Sequence, residues 1–474
     1  MRDRRPVAEI ICFTFFLAYL VWVPLPFGSA SDGALTPLVV PPLVLAAAAA
    51  ILASRRASLR ITRPGRLWTA GALLFIAFLA LQLVPLPRPL LRAISPESAR
   101  LWGMADRVAA LAGAGTASMH PISVDPAATA VQLFRVAAYA AAFVAAMFIV
   151  RTKNRRTALA VVLAVMVIFE AVYAIREAVL QRYEIWGWKN TLIFDRATGT
   201  FVNPNHFAHY AAIILPLGVF LCAYAWHTAA PQGAPTRRRL VMLIERRFVS
   251  LGLGMAAIVA CAAAMLVAQS RGAMLATVAG FAAVGAMASG RRHAAARAGL
   301  IALAVIAVFA GVFFVMGRVT DSKHLGESGS TTLQGRRSSI FSALRIWTDF
   351  PLFGSGAGTF EGLSPRVQDE NGEVLQNHAH NDYAETLATT GAVGFLLGFV
   401  PLVGGTAALA RAAFGARRSE SSWRRRAFYA AALTSIAIAM AHALVDFNFY
   451  IPANPVTLAA IAGAAASVRE PVTR

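Results

Sequence analysis

The sequence predicts an all-α fold: a polytopic membrane helix bundle of about 12 transmembrane helices, with a large external loop containing short helices. The 474-residue chain is 58% apolar and only 14% charged, and its mean hydropathy is +0.60. A soluble domain is about 45–50% apolar and about 25% charged. The apolar residues also fall in blocks of about 20, the length of a helix that crosses the hydrocarbon core. These features exclude an ordinary soluble enzyme and a disordered chain.

Twelve apolar blocks are the predicted spans of a single polytopic domain, residues 1–474. They cover residues 8–27, 34–53, 67–86, 129–150, 157–179, 207–226, 248–268, 272–290, 299–317, 391–410, 427–446 and 454–468. The first block is longer than the apolar core of a usual signal peptide, which favours an uncleaved span over a cleaved signal. All three cysteines lie inside these blocks, so we expect neither a disulfide framework nor a cysteine metal site.

The formal net charge of +21 follows from topology. An even number of spans puts both termini on one side, and that side, with the termini included, holds 28 of the 44 basic residues but only 5 of the 23 acidic ones. Lysine and arginine concentrate in short cytoplasmic loops, so both termini are predicted to be cytoplasmic. No basic stripe is interleaved with aromatic residues, and we therefore expect no nucleic-acid partner.

Three external segments are too long to be simple turns: residues 87–128, 180–206 and 318–390. Loops of this length are usually functional or disordered. In the third, Ile340 and Trp347 belong to an apolar pattern of helical spacing that stops at a Pro/Gly pair. The pattern predicts a short amphipathic helix that lies on the membrane face and covers a cavity.

Arginines on the external side point to an anionic ligand. Arg271 lies between two apolar blocks, and Arg336 and Arg337 follow a glycine in the long loop. The guanidinium group binds phosphate bidentately, so several arginines on this side favour a phosphate-bearing ligand. The alternative for Arg271 is a residue of a tight turn between the seventh and eighth spans that extends to the interface.

The segment 378–394, HAHNDYAETLATTGAVG, is the richest in reactive side chains. His378, His380 and Asp382 alternate as in a metal pair, but the further ligands of a metallohydrolase are not evident, and we expect no metal. Asn381 and Asp382 could instead cap the next helix. In another interpretation one histidine is a general base, because the ordinary pKa of histidine lies near 6.5.

Two further polar groups stand at the ends of predicted spans. Asn203, Asn205 and His206 predict a turn and offer hydrogen bonds to a sugar or to the helix end. His442 and Asp446 are four residues apart, which predicts that they share a helix face. Ionisable residues at membrane depth are candidates for function, and a mutually satisfied structural pair is the alternative.

Taken together, these motifs resemble the O-antigen ligase and polymerase superfamily of bacterial envelope glycosyltransferases, which have twelve spans and one dominant external loop late in the chain. The ligase pattern is His, then Asn, Ser or Gln, nine residues, Gly, two residues and Gly. His380, Asn381, Gly391 and Gly394 match it. The SRG turn, the GR pair, the stretch W-x-D-x-P-L-x-G-x-G-x-G-x-F from Trp347 and the GTFVNPNHFA block are also similar to the family's, and the resemblance covers residues 195–455.

The resemblance implies an inverting, metal-independent transfer of a glycan from undecaprenyl diphosphate to a sugar hydroxyl, without a cofactor. The acceptor would be lipid A core or a second lipid-linked glycan. The reaction would take place at the periplasmic face of the bacterial inner membrane. The implied roles are a catalytic base (His380, alternatively His378), diphosphate binding (Arg271 with Arg337, alternatively Arg336) and substrate binding (Asn203, Asn205, Asn381, Asp446 and Arg196).

Several functions remain open at the level of sequence. The His-Asn-x9-Gly pattern slightly favours a ligase, whereas the NPNHFA and VDFNFYIPAN blocks are as common in exopolysaccharide polymerases. Transfer to a protein side chain is a third choice within the family. A polysaccharide flippase would need charges at mid-membrane, but the ionisable residues of the spans cluster toward the external ends apart from Arg135 and Glu170, and a structural scaffold leaves this clustering unexplained.

Overall fold

The computed structural model describes seven ranges of the chain. They are residues 5–54, 60–189, 196–231, 233–289, 333–368, 376–415 and 423–468. The ninth predicted span, 299–317, lies outside the described residues, as do His324 and residues 318–332 and 369–375 of the long loop.

The described residues form a helical bundle, which confirms the predicted fold class. The α-helices are α1 Arg5–Trp22, α2 Leu35–Ser54, α3 Arg63–Leu81, α4 Arg88–Ile94, α5 Pro96–Leu111, α6 Pro126–Ile149, α7 Lys153–Val179, α8 Pro204–Ala229, α9 Thr236–Val267, α10 Arg271–Ser289, α11 Leu333–Asp349, α12 Phe360–Leu363, α13 Asp382–Phe414, α14 Trp423–His442 and α15 Ala453–Ala465. Short 3-10 helices occupy Phe27–Ser29, Asp32–Ala34, Ser364–Arg366 and Asn448–Tyr450.

Two small antiparallel ribbons occur in the first two long segments. Strand β1 (Leu86–Pro87) pairs with β2 (Met119–His120), and β3 (Glu184–Ile185) pairs with β4 (Trp188–Lys189). In each segment, the pairing of the two strands brings distant or neighbouring parts of that segment together. The first two external segments are therefore folded structures in the described part of the chain.

Eight of the described helices are long and apolar enough to cross a membrane: α2, α3, α6, α7, α8, α9, α10 and α13. The apolar part of α1 and helix α15 are shorter. Together with α14, these helices coincide with the predicted spans other than the ninth. The chain is a multi-pass membrane protein.

Helix α8 lies at the centre of the bundle and packs against α7, α9, α14 and α15. Small residues allow this close packing. A methyl group built on Gly218 of α8 would lie 3.1 Å from the carbonyl oxygen of Gly254 in α9, so the two backbones are in near contact. Membrane helices commonly approach each other through small residues in this way.

The two ends of the bundle differ. One end carries α4, α5, α11, α12 and both ribbons, and we call it the loop face. At the other end, which we call the arginine face, Arg156 donates to the carbonyl oxygen of Ala464 at 3.1 Å and Thr62 donates to that of Ala466 at 2.6 Å. These bonds tie the starts of α3 and α7 to the end of α15.

Helix α11 confirms the short helix predicted in the long loop. It packs against α13, and Ile346, Phe350 and Phe360 form an apolar cluster with Ala384 and Ala388 of α13. This cluster fixes α11 over the start of α13. The N-terminal turn of α11 consequently lies beside the residues that begin α13 and end α14.

Candidate active site

Asp446 is the centre of a buried group of charged side chains on the loop face. It lies in the turn after α14, and its side chain is fully buried. One carboxylate oxygen lies 3.5 Å from Nδ1 of His380 and 3.8 Å from Nε2 of His206, and the other lies 3.7 Å from Nη2 of Arg336. Two imidazoles and one guanidinium, brought by α8, α11 and the start of α13, therefore surround one carboxylate.

Burial raises the pKa of the Asp446 carboxyl, but its neighbours outweigh burial. The imidazoles of His206 and His380 and the guanidinium of Arg336 hold this pKa well below its ordinary value. Asp446 is consequently ionised at neutral pH. A buried carboxylate is stable only when cationic or hydrogen-bonding groups surround it.

The start of α13 fixes His380. Asn381 caps the helix, because its side-chain oxygen accepts from the backbone N–H of Tyr383 at 3.0 Å and of Ala384 at 2.9 Å. Its amide nitrogen donates to the carbonyl oxygen of Leu444 at 2.9 Å, which ties the cap to the turn that carries Asp446. His380 itself has a φ of +50°, a left-handed conformation that is unusual for a residue with a side chain. Such strain is common at functional positions.

The two adjacent arginines of α11 have different surroundings. Arg336 donates to the carbonyl oxygen of Val445 at 2.6 Å and reaches Asp446, and its side chain is 21% exposed. Arg337 is exposed, and its guanidinium lies 5.4 Å from the ring centre of Phe341 on the same helix. Arg336, the alternate in the sequence prediction, is therefore the one that joins His380 and Asp446.

A second carboxylate and imidazole pair lies beside the first. Nδ1 of His378 lies 2.8 Å from Oε1 of Glu385, and the other oxygen of this buried glutamate accepts from the backbone N–H of Ala379 at 2.8 Å. The His378 ring stacks on Phe447 with ring centres 4.0 Å apart. The edges of His206 and His380 also meet this phenylalanine. Phe447 thus separates the two pairs.

Arg271 begins α10 and is exposed, with no hydrogen bond or ion pair to the described residues. Residues 268–270 form the tight turn between α9 and α10, and the SRG sequence runs from this turn into the first residues of α10. The next residue, Gly272, packs on His442: a methyl group built there would lie 2.9 Å from Nε2 of that histidine. The turn therefore brings the first residues of α10 against the end of α14.

His442 does not pair with Asp446, so the prediction of a shared helix face was wrong. Helix α14 ends at His442, and Asp446 lies in the turn beyond it. Nδ1 of His442 instead lies 2.9 Å from Nδ1 of His209, and both rings are buried. The apolar residues continue to 445, which is why the helical pattern extended past the true end of the helix.

The predicted substrate ligands of the second segment make contacts within the protein. Arg196 donates to the carbonyl oxygen of Ala268 at 2.6 Å and to the side-chain oxygen of Asn205 at 3.0 Å. Asn203 caps α8 by accepting from the backbone N–H of Asn205 at 2.8 Å. Arg196 and Asn205 thus join the segment to the end of α9, and Asn203 fixes the start of α8. We expect all three to shape the site rather than to bind a sugar directly.

Glu170 of α7 holds the same segment from the other side. Its two carboxylate oxygens accept from the backbone N–H of Thr200 at 2.9 Å and from the hydroxyl of Thr200 at 2.7 Å. The carboxylate is fully buried. Glu170 therefore anchors the segment that leads into α8 and His206.

The glycine-rich stretch of the long loop, residues 354–358, is part of the scaffold. Gly391 breaks the α13 helix with a φ of +64°, and a methyl group on Gly354 would overlap the backbone of Thr389 just before this break. Gln82, fully buried after α3, joins the two: its amide nitrogen donates to the carbonyl oxygens of Phe353 at 2.8 Å and Thr389 at 3.0 Å. Its amide oxygen accepts from the N–H of Ala357 at 3.1 Å.

The H-x-H-x-D residues have separate partners. His378 contacts Glu385, His380 contacts Asp446, and the Asp382 carboxylate accepts from the backbone N–H of Phe449 at 3.3 Å. Among the described residues, no group of three or more His, Cys, Asp or Glu side chains has an arrangement suited to a metal ion.

Sequence reasoning named His206 as a possible hydrogen-bond donor of the NPN turn but did not bring it together with His380 and Asp446. It gave no partner to Glu385, one of the two acidic residues of the first turn of α13, and it missed Phe447. Nothing local marked Phe447. Its position between three histidines depends on the meeting of α8, α13 and the turn after α14.

Comparison with known proteins covers part of this site. Residues 256–399 match the family described as O-antigen ligase, a range that includes Arg271, Arg336 and His380 but not Asp446 or His206. No curated protein is similar enough to the chain to be matched with it. The family match confirms the resemblance read from the motifs: residues 256–399 of this chain are similar to the O-antigen ligase family.

Proposed function

We propose that the chain is a membrane glycosyltransferase that transfers a glycan from undecaprenyl diphosphate to a sugar hydroxyl, in the manner of an O-antigen ligase. One observation carries the proposal. The buried Asp446 carboxylate contacts both an imidazole, His380, and a partly exposed guanidinium, Arg336. A proton acceptor and a phosphate ligand therefore lie 3.5 Å and 3.7 Å from the same carboxylate, and this transfer requires both groups.

His380 is the proposed general base. Asp446 faces Nδ1 of the ring, so a proton on Nδ1 leaves the lone pair on Nε2 to accept the proton of the acceptor hydroxyl. The ionised Asp446 also stabilises the imidazolium that forms, as the aspartate does in serine hydrolases. General-base catalysis of this kind contributes about 100- to 10,000-fold to a rate. The separation of 3.5 Å is expected to shorten when substrate binds.

Arg336 and Arg271 are the proposed ligands of the diphosphate. The acceptor oxygen attacks the anomeric carbon from the side opposite the diphosphate, the bond from that carbon to the phosphate oxygen breaks, and negative charge grows on the leaving group. Guanidinium groups fixed at this position stabilise that charge more than they stabilise the ground state. Arg271 also begins α10, where the helix dipole favours an anion.

Arg337 is the less favoured phosphate ligand. Its guanidinium lies over Phe341 and makes no ion pair within the described part of the chain. Its rotation toward the site would give up this cation–π contact, which is worth about 0.5–1 kcal/mol at an exposed position. We therefore assign Arg336 the role that the sequence pattern gave first to Arg337.

The proposed location is the bacterial inner membrane, with the loop face in the periplasm. The support is the distribution of charge: the arginine-rich links lie at the opposite end of the bundle, and short loops rich in Lys and Arg remain in the cytoplasm. The donor lipid would enter from the bilayer, and the acceptor would be lipid A core.

The experiment uses purified protein in nanodiscs with an undecaprenyl-diphosphate-linked repeat unit, with and without lipid A core. A ligase gives a single adduct and only when lipid A core is present. A ladder of longer glycans from donor alone would replace the ligase assignment with polymerase. No product under either condition would contradict both.

Two histidine variants serve as controls for that experiment. His380→Ala is expected to lose about 100- to 10,000-fold in the rate of transfer, the range of general-base catalysis. His227→Ala is expected to remain active, because His227 is exposed at the arginine face and its ring lies beside that of Trp423, far from the proposed active site. Equal loss in both variants would argue against a specific role for His380.

A further inference from the structure

A polar cavity separate from the proposed active site lies on the loop face, in the segment between α3 and α6. Helices α4 and α5 form a hairpin that the β1–β2 ribbon closes, and the hairpin encloses an open cavity of about 380 Å³. None of the residues of the proposed active site lines it. The cavity therefore needs its own explanation.

The lining of this cavity is positively charged. Three arginines line it: Arg88, Arg92 and Arg107. Arg88 pairs with Asp106, the one acidic residue of the lining. Arg92 and Arg107 make no hydrogen bond or ion pair with any described residue, and both are exposed. Two guanidinium groups thus remain available to an anion.

The back wall of the cavity is fixed before any ligand binds. Asp106 contacts Nε2 of the buried His120 at 3.0 Å, and the His120 ring stacks on Trp102 with ring centres 4.6 Å apart. The indole N–H of Trp102 donates to the carbonyl oxygen of Pro121 at 3.1 Å. The carboxylate of Asp106 is therefore already paired, and the exposed side of the cavity, with Arg92 and Arg107, carries a positive charge.

Helix α5, which carries Trp102 and Asp106, also exposes an apolar stripe. Met104, Val108 and Leu111 recur at helical spacing on α5, and the exposed fraction reaches 66% at Val108 and 90% at Leu111. The hairpin leaves the end of one membrane span, α3, and returns to the start of another, α6. An amphipathic helix in this position lies in the interface, with its apolar side chains in the acyl region and its basic side chains among the headgroups.

We propose that this cavity binds the phosphate of an anionic phospholipid headgroup, held by Arg92 and Arg107, while the apolar stripe of α5 enters the lipid. Planar guanidinium groups match phosphate bidentately. The cavity is larger than one phosphate needs, and so has room for the glycerol that follows it. The apolar stripe and the two flanking spans favour a lipid over a soluble acidic sugar, which would need neither.

The test is native mass spectrometry of the full chain in detergent, titrated with short-chain phosphatidylglycerol or phosphatidylcholine. The wild type is expected to bind phosphatidylglycerol roughly 10- to 30-fold more tightly, the effect of two basic groups near an anionic headgroup. The double variant Arg92→Ala/Arg107→Ala is expected to lose this preference. Arg100→Ala is the matched control, because Arg100 lies on the same helix, pairs with Glu97 and lines no part of the cavity.

A second double variant, Val108→Ser/Leu111→Ser, is expected to weaken both lipids equally and to keep the preference. Equal binding of the two lipids to the wild type would overturn the proposal, as would a preference that survives loss of both arginines. Displacement of phosphatidylglycerol by equal concentrations of glucuronate or inorganic phosphate would also overturn it and assign the cavity to soluble anions. Both arginines are exposed, so their loss is expected to leave the fold intact.

Discussion

Two buried polar regions of the molecule differ in how many of their polar atoms are hydrogen-bonded. One is the Asp446 cluster, which consists of Asp446, His206, His380 and Arg336. The other is the Gln82 junction, which consists of Gln82 and the backbone groups that it contacts. Around Gln82, both amide atoms are bonded to the backbone of the glycine-rich stretch or of α13. Around Asp446, one carboxylate oxygen, Nδ1 of His380 and Nε2 of His206 are buried without a hydrogen bond among the described residues. The charged groups there are 3.5–3.8 Å apart, which is contact without a full bond.

This difference separates scaffold from site. Buried polar groups in folded proteins are nearly always hydrogen-bonded, so each exception requires an explanation. At Gln82 the satisfied network fixes the break in α13 at Gly391 against the long loop. At Asp446 the unused capacity is available to a substrate. Both regions carry motifs that resemble the family's. In the proposed mechanism, the Gln82 region holds the geometry and the Asp446 region supplies the chemistry.

The largest effect is expected from Asp446→Asn, which removes the charge and keeps the shape. Turnover is expected to fall about 1,000- to 10,000-fold, because the imidazole of His380 loses both its orientation and the stabilisation of its protonated form. The measurement is the rate of glycan transfer at saturating donor. Asp349→Asn, an exposed change at the end of α11, is the control and is expected to stay within twofold. An Asp446→Asn protein with normal turnover would remove the distinction between the two regions.

Gln82→Ala tests the other side of the comparison. Three hydrogen bonds to the backbone are lost, although the Thr389 carbonyl oxygen still accepts from the N–H of Gly356, and the free energy of unfolding is expected to fall by about 3 kcal/mol. Turnover per folded molecule is expected to remain within threefold. The measurement combines a denaturant titration in detergent with the transfer assay, and exposed Gln181→Ala is the control. Loss of turnover without loss of stability would show that Gln82 belongs to the chemistry.

Variants of the two adjacent arginines of α11 test which of them binds the diphosphate. Arg336→Ala is expected to weaken binding of the donor about 10- to 100-fold, the usual range for loss of one charge-assisted contact to phosphate. Arg337→Ala is expected to change it by less than twofold. Donor binding is measured by equilibrium titration with a labelled undecaprenyl-diphosphate glycan. A larger loss of donor affinity in Arg337→Ala than in Arg336→Ala would instead identify Arg337 as the phosphate ligand.

The smallest effect is expected at the second imidazole. His378→Ala removes the ring that stacks on Phe447 and contacts Glu385, and its turnover is expected to fall about tenfold through looser packing of Phe447. The transfer rate at saturating donor and acceptor measures it. A loss as large as that in His380→Ala would make His378 the base.

Local patterns predicted the parts of the molecule that depend on local interactions. The described apolar blocks are helices, and the helical spacing of Ile340 and Trp347 correctly predicted α11. Asn381 caps α13, as its residue type suggested. Each of these depends on residues within a few turns of one another. The sequence was therefore sufficient for the fold class and for the position of the reactive segment.

The remaining features depend on contacts between distant segments. Neighbouring positions on a helix point about 100° apart, so the pattern could not choose between Arg336 and Arg337 until α11 was seen beside the turn after α14. The role of Gln82 depends on residues more than 270 positions away. The end of α14 at His442 was missed because the apolar pattern continues past it.

The central claim is that Asp446 acts through His380, and a double-mutant cycle tests it most directly. Turnover at saturating donor is measured for Asp446→Asn, His380→Ala and the double variant. If the two residues act as a unit, the double variant is expected to be no slower than His380→Ala alone. Losses that multiply would show that Asp446 and His380 act independently, and that result would contradict the account.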